Sequence, residues 1–265
     1  WAEIAAPERV DLGDVIIAAK LQVVEEVQAA EVNRLLRLVE RVLPDTDLEA
    51  ARRALTALLV SMDRYRAYLV AGQRPARSQL VVLAQAEGRA RDRLDAGDHP
   101  VLGQITQLAR GGRPAGGLSD PDAHEAIAEF VTRFQQTCGP VMAKGIEDTA
   151  FYRWLRQTGA NEVGGDPGTL SIEVDEFHAY AEERLEHWPL TMTTLSTHDT
   201  KRSEDVRARL AVLSERAQDW QDWFAEARRM SARLRNGLVD PETEYLIWQT
   251  LVGTWPMTPE RMSTY

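Results

Sequence analysis

One cysteine in 265 residues leaves no partner for an internal disulfide. Cys138 alone also excludes a Cys-rich zinc site. The histidines are His99, His124, His178, His187 and His198, and no two of them stand at the helical spacing of a metal-binding pair. No metal site and no cofactor is therefore expected. Lysine is equally scarce: Lys20, Lys144 and Lys201 are the only three, and arginine supplies the rest of the 31 basic residues. Against them stand 41 acidic residues, for a net charge of −10. That balance argues against the broad cationic face of a nucleic-acid binder and against a polybasic membrane anchor. No apolar run approaches the roughly 18 residues a transmembrane helix needs. The first 20 residues lack the basic-then-apolar order of a signal peptide. A cytoplasmic protein is expected, with no nucleic acid and no membrane among its partners.

The apolar content of 44% is enough for a globular core. It is patterned mainly for helices. From about Val15 to Leu43, Ile17, Leu21, Val24, Val32, Leu35, Val39 and Val42 recur at three- and four-residue steps. Asp14 is placed to cap that helix and Pro44 to end it. Thr46 and Glu49 have capping-box spacing, and Leu48 through Leu69 carries a second stripe, so the two read as an antiparallel hairpin. Weaker helices follow over Ser78–Leu94 and Val101–Arg110. GGRPAGGLSDP, 111–121, is the best candidate for a linker, and it lacks the Lys-Ser/Thr ending of a phosphate-binding loop. Asp120-Pro121 then opens another helix.

Two short segments read as strands: 139–144, with Val141-Met142-Ala143 between glycines, and the threonine-rich 190–195. Helices are expected over Glu147–Arg156, Ser171–Glu186, 217–235 and 241–253, with 161–168 as a loop. The polar run Thr197 to Asp205 leaves the second strand and enters a helix capped by Ser203. His198-Asp199 then lies at a strand's carboxyl end, where active-site residues gather in parallel α/β folds. Composition alone favours a solvated loop there. Lys144 and Glu147, three apart, read equally well as a surface ion pair. Phe151-Tyr152-Arg153-Trp154 reads as core or as a sugar-stacking platform. Trp154, Trp188 and the later tryptophans are expected in the core.

Longer segments separate these readings. GPVMAKGIEDTAFYR, 139–153, resembles a signature of the maltooligosyl trehalose synthases, a group within the α-amylase family, glycoside hydrolase family 13. NEVGGDPG, 161–168, STHDTKRSEDVRARLAVLSE, 196–215, and YLIWQTLVGTWP, 245–256, resemble the same group in the same order. The likeness is dense from about Glu129 to Pro256. It is looser before that, where Lys20 to Leu38 resembles the group's helical insertion.

The resemblance implies a mainly α chain: a helical insertion over 1–118, then the C-terminal part of a (β/α)8 catalytic barrel over 119–265, with strands six and seven at 139–144 and 190–195. It implies the activity of a (1→4)-α-D-glucan 1-α-D-glucosylmutase, acting on a maltooligosaccharide. His198-Asp199 matches the family's third catalytic carboxylate and its preceding histidine. Asp199 would stabilise the transition state, and His198 would bind the same sugar. Lys144, Glu147 and Tyr152 would grip the departing glucose. Lys201 and Arg202 would contact substrate or hold Asp199 or Glu204. No segment resembles the family's nucleophile or acid/base motifs. These are expected before Trp1 and the eighth strand after Tyr265, so the remainder of the same catalytic domain is an expected partner and the chain alone is expected to be inactive. The alternatives are a non-catalytic helical interaction module, and part of the family's trehalose-releasing hydrolase, to which 139–153 is a poorer fit.

Overall fold

The computed structural model describes residues 11–264. They divide into two compact units, one over Gly13–Ala150 and one from Phe151 onward. Both are helical, and no strand occurs among the described residues. No described helix is long and apolar enough to cross a membrane. The helical insertion expected over 1–118 begins in residues outside those described.

In the first unit, α1 (Leu12–Gln22) runs through a π-helical turn (Val23–Val27) into α2 (Ala29–Val42). The sequence reads these as one helix because the apolar stripe continues across the turn. Asp14 lies in the first turn of α1 rather than before it. The N-cap of α3 (Leu48–Val60) is Asp47, whose carboxylate accepts from the Glu49 amide at 3.0 Å, not Thr46. α3 also ends nine residues before the expected Leu69. The ammonium of Lys20 takes the Met62 carbonyl at 2.6 Å and the Val60 carbonyl at 3.3 Å. Beyond them the chain is irregular: Ala67 and Leu69 are buried while Arg66, Tyr68 and Val70 are exposed, and Tyr68 takes a left-handed backbone conformation at φ +58°.

α4 (Arg77–Arg91), a 3-10 turn (Ala96–Asp98) and α5 (His99–Ala109) follow. Then comes α6 (Pro121–Met142), capped by Asp120 on the Ala123 amide at 2.7 Å. α2 packs on α6 and α3, and α3 on α4 and α5. Leu35, Leu55, Leu58, Leu102, Ile105, Phe130 and Phe134 are fully buried between them.

The strand expected at 139–144 is instead the end of α6 and the start of a second π-helical segment, Ala143–Ala150. Gly139-Pro140 suggested a break. The helical stripe of Phe130, Phe134, Cys138 and Val141, all buried, carries the helix through it. Pro140 lacks the N–H that would complete the ladder to Gln136, and the ladder widens three residues later.

The second unit opens with the single turn α7 (Phe151–Arg153) and a 3-10 turn (Thr158–Ala160). α8 (Val174–His187), α9 (Glu204–Glu215), α10 (Ala217–Arg235), α11 (Pro241–Thr254) and α12 (Pro259–Thr264) complete it. Asp240 caps α11 through the Thr243 amide at 2.9 Å. Gln249 of α11 ties α11 to the 3-10 turn: its carbonyl oxygen accepts from the Thr158 amide and hydroxyl, each at 3.0 Å. Phe224 and Tyr245 form a small core with Trp220 and Trp248.

The second expected strand, 190–195, has no regular structure. A strand needs a ladder partner for its N–H and C=O groups, and the described residues contain no other strand. Leu190 and Met192 are 94% and 96% exposed. The tryptophan expectation fails in part. Trp154 is buried, but Trp188 and Trp255 are 63% and 68% exposed.

Candidate functional site

The predicted site residues fall in two groups, one in each unit. In the first unit, Lys144 and Glu147 share the π-helical segment after α6. Short π-helical segments inside longer helices occur often at functional sites, because the wider turn re-aims side chains. Lys144 pairs with Asp148 at 2.6 Å. Glu147 is buried and accepts from the Tyr65 hydroxyl.

Gly145 between them seats the segment against α1. A Cβ there would stand 2.7 Å from Lys20 Cγ and 3.1 Å from Lys20 Cα. Lys20 is only 3% exposed, and burial pulls its pKa down from 10.5 to about 8. Asp63 opposes that shift with its negative charge. Cys138 is buried in the same unit, and burial pushes its thiol up to about 12. It is therefore a packing residue, not a nucleophile.

In the second unit, His198 and Asp199 sit at the exposed tip of a tight turn. The Thr200 hydroxyl donates to the Thr197 carbonyl at 2.9 Å, and the Asp199 amide donates to the Thr197 hydroxyl at 3.2 Å. Behind the tip, the Lys201 and Arg202 amides donate to Glu162 at 2.8 and 3.2 Å. The Arg202 guanidinium reaches the Thr158 carbonyl at 3.0 Å, so it braces the 3-10 turn instead of holding Asp199 or Glu204. Glu204 is instead hydrogen-bonded to Ser196.

Tyr152 is 59% exposed, whereas its neighbours Phe151 and Trp154 are buried. The aromatic cluster is thus both core and open platform. The Lys201 ammonium lies 5.8 Å from the centroid of the Tyr152 ring, within cation–π range. The structure therefore brings Tyr152 and Lys201 together, places His198 and Asp199 three and two residues before Lys201, and keeps Lys144 with Glu147 on their own segment.

Four residues of this architecture carry no role in the sequence reading. Tyr65 reads only as a member of the second apolar stripe. Lys20 stood out as one of three lysines and as the start of the loosely similar stretch to Leu38, neither of which shows what it binds. Asn161 and Glu162 open the quoted segment NEVGGDPG, but a loop acidic residue gives no sign of what it holds. Among the described residues no group of three or more His, Cys, Asp or Glu side chains is placed to hold a metal ion.

A Mycobacterium tuberculosis protein named as a maltooligosyl trehalose synthase is 44% identical to the chain over 132 residues. That match takes in 50% of the chain and 17% of the relative. The solved maltooligosyltrehalose synthase from Arthrobacter ramosus superposes on the whole chain with TM-score 0.77 and 33% identity. This chain is similar to part of the maltooligosyl trehalose synthases. A solved glycosyltrehalose synthase, DSM5389, matches 97% of the chain with TM-score 0.66 and 26% identity. The chain spans 31% of the length of the Arthrobacter synthase and 28% of the DSM5389 synthase. No family model matches it.

Proposed function

We propose that the chain is part of a trehalose-forming transglycosidase of the α-amylase family. It would rearrange the reducing-end α-1,4 linkage of a maltooligosaccharide into an α,α-1,1 linkage. The observation that carries this reading is the likeness to the Arthrobacter synthase over the whole chain, together with the His198-Asp199 turn. A retaining pathway uses one carboxylate as nucleophile and a second as acid and then base. Asp199 would do neither. As a third carboxylate it would bind sugar hydroxyls and stabilise the oxocarbenium-like transition state electrostatically. Its exposed place at a turn tip suits a group that meets a ligand. His198 would hydrogen-bond the same sugar.

The released glucose must stay bound, turn and attack through its anomeric hydroxyl while water is kept out. Lys144, Glu147 and Tyr152 are the proposed grips, since charge-assisted hydrogen bonds suit that task. Lys201 and Arg202 would support the same region. The Arg202 guanidinium would do so by bracing the Thr158 carbonyl.

The remainder of the same catalytic domain is the proposed partner. In support, Val174, Leu185, Trp188, Leu190, Met192 and Leu195, all between positions 174 and 195, are each well exposed. The proposed domain organisation is a helical insertion over 1–118 and a barrel portion over 119–265.

The test is to incubate the natural polypeptide containing this sequence with maltohexaose. Loss of reducing ends without matching glucose supports the mutase. Release of free trehalose selects the related hydrolase. Unchanged sugar with a folded protein selects the interaction module.

A further inference from the structure

Two consecutive residues, Asn161 and Glu162, hold the two segments that carry the exposed candidates of the second unit. Asn161 is buried, and its amide nitrogen donates to the Phe151 carbonyl at 2.8 Å and to the Trp154 carbonyl. Those carbonyls bracket Tyr152. The neighbouring Glu162 side chain is 14% exposed. Its Oε1 accepts from the Lys201 amide at 2.8 Å and from the Val163 amide at 2.9 Å, and its Oε2 accepts from the Arg202 amide at 3.2 Å. The Arg207 guanidinium stands 4.0 Å away and supplies positive charge.

We propose that Glu162 is a positioning residue: through the Lys201 and Arg202 amides it fixes the turn bearing His198 and Asp199, while Asn161 fixes the turn bearing Tyr152. The chemistry demands a carboxylate at 162. Three backbone N–H groups converge on two oxygens, and a carboxylate has acceptor sites for all of them. A glutamine of the same shape has one oxygen and one NH2. Whichever way its amide turns, an NH2 faces a backbone N–H. The adjacency matters as well. Asn161 and Glu162 share one peptide link, so the Tyr152 turn and the Lys201 leg are referred to a common point. That arrangement accounts for the Lys201 ammonium lying over the Tyr152 ring. A small misplacement of a group that stabilises a transition state lowers turnover more than it lowers binding.

This role rests on the transglycosidase reading, but part of its test does not. Glu162→Gln is made in the natural polypeptide containing this sequence. Amide hydrogen exchange is followed in a peptide covering 198–203 and in one within α9, together with the melting temperature. Exchange at 198–203 should rise at least tenfold, with α9 and the melting temperature unchanged. With maltohexaose, kcat should fall at least tenfold while KM stays within about threefold. Unchanged exchange at 198–203 overturns the clamp whatever the activity. Faster exchange with kcat unchanged in an active enzyme overturns the positioning role. A wild-type protein that does not rearrange maltohexaose refutes the transglycosidase reading instead, and exchange then decides the clamp alone.

Discussion

Replacing Lys20 with methionine should remove a rise in stability that the wild-type protein shows as pH increases. The ammonium is buried beneath Gly145, with the Val60 and Met62 carbonyls as acceptors. In the unfolded chain it keeps its proton up to about 10.5; in the folded chain burial releases it near 8. Between those values the unfolded state binds more protons, so stability increases with pH. Below 8 both states are charged and the burial penalty is present in full. At roughly 1.4 kcal/mol per tenfold change in proton affinity, that penalty is about 3 kcal/mol, of which about 1 kcal/mol is relieved between pH 7 and pH 9.

Methionine keeps the apolar stem but leaves two carbonyls without their donor, a cost of about 1–3 kcal/mol. The variant should therefore be close to wild type at pH 7 and clearly less stable at pH 9. Cys138 acts in the opposite sense. Its thiol ionises near 9 when unfolded and near 12 when folded, so it lowers stability above pH 9. It is present in both proteins and largely cancels in their difference. Residues 13–150 contain no tryptophan, whereas six tryptophans lie at 154 or later. Urea unfolding should accordingly be followed by far-UV circular dichroism and by exchange of α3 and α6 amides, not by fluorescence. Equal pH slopes in wild type and variant would refute the reasoning.

Two further outcomes come from the same unit. Gly145→Ala places a methyl group 2.7 Å from Lys20 Cγ and 3.1 Å from its Cα, and should destabilise by about 1–3 kcal/mol, read as a lower urea midpoint. Cys138 should resist a thiol-specific chromogenic reagent at pH 8 in the folded protein and react fully in denaturant, since it is buried and its thiol stays protonated.

The helices were legible wherever a 3.6-residue stripe ran against clear stop signals. Asp120-Pro121 and Asp240-Pro241 open helices where the sequence places them. The errors have physical causes. Gly139-Pro140 reads as a break, but packing of Phe130, Phe134, Cys138 and Val141 overrides the local signal. Leu190 to Leu195 has strand composition, yet strand structure depends on a partner that composition cannot supply. The end of α3 at Val60 was hidden because the residue that captures its carbonyls, Lys20, lies 40 positions earlier. The candidate site was legible as a set of segments. What holds them was not, since the roles of Glu162, Asn161 and Tyr65 come from partners distant in the chain or from backbone amides that no side-chain pattern reveals.

The central claim is that Asp199 serves an isomerising transglycosidase. The most direct measurement compares the natural polypeptide containing this sequence with its Asp199→Asn form on maltohexaose, following reducing ends and free glucose together. Wild type should lose reducing ends with little glucose released. The variant, folded and with an unchanged melting temperature, should lose at least 100-fold in rate, on the scale of removing one electrostatic stabiliser of the transition state, about 10²–10³-fold. A variant that rearranges maltohexaose at the wild-type rate would contradict that claim.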